Sequence, residues 1–222
     1  GLLMPKLATI KQPESLARMA YEAIRQSILS GQWQIGELYN EKAIAADLGI
    51  SRTPVREALL ELASQDLIIF MPRRGLMLNR FNLRDVDEIF ELRKAIEQAS
   101  VEKIANTSPL PDLLAIEESL LEQRKAVNQK DYMAFIEADR KFHTSFTTLT
   151  NNSRMISIVE NIRDMIQVMG IKALSLEGRA VKVIEEHQAI FKAVKEGHVK
   201  KARNFMAYHL DQSMEAVKES EL

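Results

Sequence analysis

The sequence predicts a mainly α-helical protein with two domains, an N-terminal winged helix-turn-helix followed by an all-helical bundle of about six helices. Three observations lead to this fold class. Apolar residues recur at helical spacing in three short segments before residue 65, and a β-rich hairpin follows them. From residue 82 onward the chain has almost no strand signal. We therefore expect one domain at residues 1–81 and another at 82–222, which leaves room for two small cores.

Three helices and a hairpin account for the first third of the chain. Residues 15–30 and the shorter segment 40–49 each carry an apolar face and stop at a glycine. The third helix follows Ser51, a favourable N-cap residue, and has Pro54 in its first turn, where the missing N–H costs little. Two helices joined by a tight turn form a helix-turn-helix. LIIFM, PRRG and LMLNR then predict a two-stranded hairpin, the wing, with a basic tip.

Basic and hydroxyl side chains occupy the positions where such a fold meets DNA. A recognition helix enters the major groove with its N-terminal residues, which here are Ser51, Arg52, Thr53 and Arg56. The guanidiniums can bind guanine O6 and N7 or a phosphate. Arg73 and Arg74 at the wing tip can reach the backbone or the minor groove. A single arginine is more often an ordinary solvated residue, but the ordered combination favours DNA binding.

The stretch NEKAIAADLGISRTPVREALLELASQDLI, followed by PRRG, resembles the winged-helix domain of GntR-type bacterial transcription regulators over about residues 13–80. The resemblance implies DNA contacts at Arg52, Thr53, Arg56 and Gly75. Lys42 stands where many members carry arginine, and lysine keeps a phosphate contact but loses the bidentate geometry. Net charge is a weaker guide, because residues 1–81 carry +2 and residues 82–222 carry −3.

Six helices are predicted for the remainder of the chain. They are separated by the breaks NTSPLP, NQKD, TNNS, LEG and EGH, which are rich in residues that end or begin helices. The expected ranges are 83–106, 110–128, 131–150, 153–176, 179–196 and 199–219.

Three of the four histidines fall on the predicted inward faces of three different helices. His143 follows Asp139 by one helical turn, and His187 and His209 lie on the last two helices. A lone histidine on an apolar face is usually a core residue bonded to a neighbour. Three imidazoles and a carboxylate gain little in a core unless they share a cation. The set suits zinc, nickel, cobalt, manganese or iron, and thiolate ligands are excluded because the chain has no cysteine.

The pattern D-x3-H, then EEHQAIFKAVKEG, then ARNFMAYHL, over about residues 83–220, resembles the FCD ligand-binding domain of the FadR branch of GntR regulators. The number of predicted helices is similar to that of its VanR-like subgroup. In metal-containing members these positions bind the metal. The resemblance therefore implies one divalent transition metal per chain, foremost zinc or nickel, bound by Asp139, His143, His187 and His209.

An arginine lies on the apolar face of the first bundle helix. An unpaired guanidinium at this position, Arg93, would be costly. It either forms a structural salt bridge with Glu97 or Asp139, or it binds the carboxylate of an effector. Arg163 and Arg179 are weaker candidates, since the sequence does not settle which way they face.

Together these features predict a ligand-responsive regulator, not an enzyme, that binds operator DNA as a homodimer and senses a small carboxylate at the metal. We expect a repressor that releases DNA when the effector binds, because this is the usual behaviour of the family that the sequence resembles. No apolar run approaches the ~18 residues of a membrane span, and the lack of cysteines and of a secretory signal favours the cytoplasm. Two alternatives remain: a metal-dependent hydrolase with an open His3Asp site, for which no general base is assigned, and a structural metal closed to ligands.

Overall fold

The computed structural model describes residues 14–174 and 176–221. Among these residues the chain forms two compact units, of which one comprises residues 14–28 and 32–79 and the other comprises residues 29–31 and 80–221. The domain boundary expected after residue 81 lies two residues further along. Three helices and one hairpin precede it, α1 (Leu16–Leu29), α2 (Glu41–Leu48), α3 (Arg52–Ser64), β1 (Ile68–Met71) and β2 (Gly75–Leu78).

Helices α2 and α3 form the predicted helix-turn-helix. The side chain of Asn40 caps α2 by accepting hydrogen bonds from two backbone N–H groups of its first turn. Gly49 ends the helix in the left-handed conformation, with φ of 68°. Ser51 does occupy the N-cap position of α3, but its hydroxyl makes no capping hydrogen bond. The helix is instead held by the burial of its apolar face, including Leu59 and Leu62.

The wing is an antiparallel pair in which Ile68 faces Leu78 and Met71 faces Gly75. Tyr39 extends the pair through a bridge to Leu76, with N to O distances of 2.7 and 2.9 Å. Gly75 has φ of 122°, and a Cβ at this position would overlap the carbonyl oxygen of Tyr39. Glycine is therefore required here by the fold itself, whatever its role toward DNA.

Six helices make up the second unit within the described residues: α4 (Leu83–Ala105), α5 (Leu114–Gln129), α6 (Tyr132–Leu149), α7 (Ser153–Ala173), α8 (Arg179–Lys195) and α9 (Val199–Glu221). Helix α4 begins with a capping box, in which the side chains of Asn82 and Asp85 each accept the other's backbone N–H. Its apolar face joins those of α6, α8 and α9 in one core around Phe90 and Phe142. None of the described helices combines the length and the apolar character that a membrane span requires.

Helix α5 begins four residues later than the sequence predicts. Pro109 and Pro111 precede it, and a residue before proline is disfavoured in the helical conformation, which applies to Leu110. The helix starts once Asp112 can accept a hydrogen bond from the backbone N–H of Leu114, at 2.9 Å. Near the other end of the unit, α7 stops at Ala173 rather than at residue 176, and α9 continues to Glu221.

Candidate metal centre and DNA-binding surface

The four predicted metal ligands converge in the second unit. Asp139 and His143 come from α6, His187 from α8 and His209 from α9. One ligand atom of each lies within 4.8 Å of the other three, so the four donor atoms surround one small volume. The three imidazoles are buried, whereas the Asp139 side chain is 24% exposed. The group is called the His3Asp cluster below.

The helical spacing explains half of this geometry. Residues four apart lie on the same face of a helix, so Asp139 Oδ1 is 3.6 Å from Nε2 of His143. The same oxygen is 3.7 Å from Nε2 of His187. Nε2 of His209 lies between the other two rings, 3.1 Å from His187 Nε2 and 3.2 Å from His143 Nε2. All three Nε2 atoms therefore point toward one centre.

Each imidazole of the cluster is held through its other nitrogen, Nδ1. The partners are Glu97 Oε2 for His143 at 2.6 Å, Gln123 Oε1 for His187 at 2.8 Å and Glu186 Oε2 for His209 at 2.6 Å. A carboxylate can only accept, and the Gln123 amide nitrogen faces the Ala138 carbonyl at 3.5 Å, so its oxygen accepts as well. The proton of each ring therefore lies on Nδ1, and such partners fix the tautomer and orientation of metal-binding histidines.

This assignment leaves three Nε2 lone pairs facing one another at close range. Adding one proton would satisfy one of the two short nitrogen contacts and leave the other repulsive. A single cation at the centre would satisfy all three. Burial, together with the neighbouring imidazoles, lowers the pKa of His187 and of His209 well below the usual value. Both rings are therefore neutral at neutral pH, which is the form that binds metal.

Asp139 and Glu97 are ionised at neutral pH. Burial alone would raise the pKa of Asp139, but its contacts with His143 and with the guanidinium of Arg163 hold it well below its usual range. Burial likewise opposes ionisation of Glu97, and the neighbouring Arg93 and His143 reverse the effect and lower its pKa. The cluster thus offers one anionic oxygen and three imidazole nitrogens, a set that fits a divalent transition metal.

A cavity of about 70 Å³ lies beside the cluster, and the side chains of Asp139, His143 and His209 form part of its wall. Arg163 on α7 also lines it and is only 2% exposed. Its Nη2 donates to Asp139 Oδ2 at 3.3 Å, while its Nε and Nη1 have no hydrogen-bond partner. Burial, with repulsion from Arg93, lowers the pKa of Arg163 to about 10, so the guanidinium remains charged at neutral pH.

The other two arginine candidates are already paired. Arg93 Nε donates to Glu97 Oε1 at 2.9 Å, the salt bridge that the sequence left as one alternative, although Arg93 also lines the cavity. Arg179 donates to both carboxylate oxygens of Glu186, at 2.8 and 3.0 Å. Their carboxylate partners in turn hold two of the imidazoles, so Arg93 and Arg179 extend the network around the cluster.

Sequence reasoning did not identify the residues that hold the imidazoles. Glu97 entered only as a partner of Arg93, and Gln123 and Glu186 did not enter at all. Their partners lie 46, 64 and 23 positions away in the chain, so local spacing does not connect them. The one available signal was a glutamine on the inward face of α5, where Gln123 is fully buried.

The eight residues predicted to contact DNA all lie in the first unit. Six of them border one open cleft between α2, the start of α3 and the wing: Lys42, Arg52, Arg56, Arg73, Arg74 and Gly75. Ser51 and Thr53 are exposed at the start of α3 but do not line this cleft. The arrangement places the basic side chains of helix and wing on one surface, as phosphate and groove contacts require.

Comparison with known families and proteins gives consistent results for both units. Residues 16–78 match the family model described as bacterial regulatory proteins, gntR family, and residues 88–212 match the FCD domain. The uncharacterised regulator YdhC of Bacillus subtilis is 29% identical, with 89% of each chain covered. The transcriptional repressor RspR of Escherichia coli is 26% identical over 90% of this chain and 87% of its own.

A solved structure with a similar fold is a GntR transcriptional regulator from Rhodococcus sp. RHA1. Its TM-score is 0.84 at 20% identity, and the match covers 91% of this chain and 97% of that one. Likeness at this level of identity concerns the fold alone.

Proposed function

Because this chain belongs to the gntR family of bacterial regulatory proteins and carries an FCD domain, we propose that it is a repressor whose operator affinity responds to a small carboxylate bound at a metal centre. The family and the relatives are transcriptional regulators and not enzymes. The repressor function is supported by the similarity to RspR. The six helices α4–α9 support assignment of the second unit to the VanR-like subgroup.

DNA recognition is assigned to α3 and the wing. Arg52 and Arg56 on α3 supply the guanidiniums for base edges or phosphates, with Ser51 and Thr53 beside them at the start of the helix. Lys42, Arg73 and Arg74 bind the phosphate backbone on either side. Gly75 is assigned to the same surface because it borders the cleft, although the space that a Cβ would need is filled by the carbonyl of Tyr39.

The observation that carries the metal centre is the short contact of three Nε2 atoms whose protons lie on Nδ1. Asp139, His143, His187 and His209 bind one divalent transition metal, with zinc and nickel foremost and manganese, iron and cobalt as further candidates. The resemblance to metal-containing FCD domains implies the same set of ligands. The bound metal would supply a positive, Lewis-acidic anchor for one oxygen of the effector carboxylate.

Arg163 is the best supported residue for binding the effector. Arg163 lines the cavity beside the cluster, two of its buried nitrogens have no hydrogen-bond partner, and leaving charged donors unpaired in a buried site is costly unless a ligand completes them. A carboxylate fits because a guanidinium binds it by two parallel hydrogen bonds. Arg93, which the sequence predicts as the effector-binding residue, is a weaker candidate than Arg163 because its Nε already donates to Glu97.

The response to the effector is a linkage between two binding events. The protein acts in the cytoplasm as a homodimer whose two α3 helices bind half-sites related by the two-fold axis. An effector that favours one arrangement of the dimer changes operator affinity by some factor, and operator DNA changes effector affinity by the same factor. Effector binding releases the DNA.

A metal-dependent hydrolase finds no support. The family to which the chain belongs consists of regulators. In addition, the two glutamates that contact the cluster, Glu97 and Glu186, accept hydrogen bonds from imidazole Nδ1 atoms and form ion pairs with arginines. Within the described residues that contact the cluster, no carboxylate is left free to act as a general base toward a bound water.

The first test is the metal content of native protein purified without added metal or chelator. Elemental analysis should find about one transition metal per chain in native protein and little in an Asp139→Ala, His187→Ala double variant. The matched control is His198→Ala, because His198 is exposed and lies outside the cluster. An empty native protein, even after zinc and nickel are offered in turn, would overturn the metal centre. A structural metal would instead bind normally while no carboxylate raised the melting temperature.

A further inference from the structure

The start of α2 places an acid among the bases of the proposed DNA-binding surface. Glu41 is the first residue of α2, and its side chain is only 12% exposed. Its Oε1 accepts hydrogen bonds from Nε and Nη2 of Arg52, at 3.3 and 3.2 Å. Its Oε2 accepts from Nη1 of Arg56, at 2.9 Å. One carboxylate therefore binds both arginines of the first turns of α3.

Stability of the unit does not explain this arrangement. The two arginine side chains are 64% and 59% exposed, and exposed ion pairs contribute little because water and salt screen them. Fixing two long side chains also costs conformational entropy. An acid at the start of a helix is favoured by the helix dipole, but that preference needs no arginine partner, whereas here Arg52 and Arg56 both reach back from another helix.

The contacts leave each guanidinium able to bind DNA. A guanidinium has five N–H donors in a rigid planar fork. Glu41 uses two donors of Arg52 and one of Arg56, so each arginine retains at least three. Arg56 is constrained on a second side, since its guanidinium carbon lies 5.8 Å from the centre of the Phe70 ring on β1. These contacts therefore fix the orientation of both guanidinium planes before DNA binds.

We propose that Glu41 is a positioning residue for base recognition. It holds Arg52 and Arg56 in one orientation, which favours bidentate contacts with correctly placed base edges, and its charge weakens their attraction to phosphates of any sequence. Glu41 contacts no DNA itself. Its effect is therefore on the ratio of specific to nonspecific affinity, and the two affinities respond in opposite directions when the charge is removed. The inference rests on the proposed contacts of α3 with DNA.

The test begins with an operator duplex obtained by in vitro selection with native protein, and a scrambled duplex of equal length. Fluorescence anisotropy then gives the affinity of each for native protein and for Glu41→Gln, at several salt concentrations. A glutamine offers one acceptor oxygen in place of two and cannot hold both arginines. We expect binding of the scrambled duplex to rise about threefold because a negative charge is lost. Binding of the selected duplex should fall roughly tenfold because a guanidinium is no longer positioned.

Two further variants separate positioning from charge. Asp47→Asn removes one charge from an exposed position on α2, and it should leave the affinity ratio unchanged. Glu41→Asp keeps the charge but shortens the side chain, so it should lower the ratio as Glu41→Gln does. This second variant also decides the question if Glu41→Gln does not fold.

An unchanged ratio in the Glu41 variants would overturn the proposal. If both affinities rose together, Glu41 would only oppose phosphate binding, and if both fell together, its role would be structural. Selection that enriches no sequence with native protein would instead overturn the proposed base contacts of α3, and the positioning role with them.

Discussion

Each imidazole of the His3Asp cluster uses its two ring nitrogens differently. The Nδ1 atoms of His143, His187 and His209 donate to an acid or an amide, and this fixes both the tautomer and the plane of each ring. The three Nε2 atoms point toward one centre, where they can bind an ion. Donor groups that are held before the ion arrives lose little conformational freedom on binding it, so the same contacts that orient the rings should also favour metal affinity.

At the residue scale, replacing Arg163 by glutamine should separate effector binding from metal binding. The metal ligands are untouched, so the metal content should equal that of native protein. The affinity for a short carboxylate should fall roughly tenfold or more, because a charged hydrogen bond is lost. The measurement is the rise in melting temperature of metal-loaded protein on titration with acetate, lactate or succinate, chosen as probes.

Arg154→Gln is the matched control, since Arg154 is exposed at the start of the same helix. It should respond to the probes as native protein does. An Arg163→Gln variant whose melting temperature still rises normally would remove Arg163 from the effector site and return Arg93 to first place.

Among the elements, the wing depends on a residue that has no side chain. Gly75 opens β2, its φ of 122° is strained for any other residue, and the carbonyl of Tyr39 fills the space a Cβ would need. Tyr39 itself is bridged to Leu76 and stacks on Trp33 at 4.1 Å between ring centres. The local fold around the wing therefore depends on this backbone contact.

At the element scale, Gly75→Ala should destabilise the first unit by about 2 kcal/mol or more, since strained backbone and steric overlap both oppose the folded state. Trp33 is the single tryptophan of the chain and lies in the first unit, so its fluorescence during urea denaturation follows that unit. The matched control is Gly170→Ala in the interior of α7, where a Cβ meets no atom. That change should stabilise α7 by roughly 0.5–1 kcal/mol and leave the Trp33 transition in place. An unchanged Trp33 midpoint in Gly75→Ala would contradict the requirement for glycine.

For the whole molecule, the buried imidazoles make stability depend on pH when metal is removed. The folded-state pKa values of His187 and His209 lie well below their usual value, while the unfolded chain titrates near pH 6.5. As the pH falls below about 6.5, the unfolded chain takes up protons that the folded protein does not, so the free energy of unfolding decreases. The loss should be on the order of 1 kcal/mol per imidazole for each pH unit.

At the scale of the whole molecule, then, chelator-treated protein should melt at progressively lower temperature between pH 7 and pH 5.5. Thermal denaturation of native protein is compared with His198→Ala, whose exposed histidine should make little difference to the slope. Metal-loaded protein should melt higher than metal-free protein at pH 7, because the ion binds only the folded cluster. A metal-free protein with constant stability across this range would show that the imidazoles are not held neutral.

The sequence predicted the positions of the helices better than it predicted which of their faces are buried. Helix positions followed from periodicity and breaks, and five of the six bundle helices begin within one residue of prediction, because capping residues and glycines act locally. Apolar spacing was a less reliable guide to which side chains of a helix are buried. Leu16 and Met19 fit the helical spacing of the apolar face of α1, and Phe205 fits that of α9, yet they are 53%, 54% and 39% exposed. Spacing gives the relative orientation of residues on a helix but not which neighbour covers them.

The sequence by itself determined the fold class, the two-unit organisation and the His3Asp set, since all of these depend on residue types at short spacing and on motifs such as SRTPVREAL. Only the tertiary structure decided which atoms meet. It paired Arg93 with Glu97, left two nitrogens of Arg163 unpartnered, placed acids or an amide behind every imidazole, and joined Glu41 to both arginines of α3. These contacts join residues on different helices or turn on which nitrogen of a side chain faces which neighbour. Packing of whole elements determines such distances, and no local pattern records them.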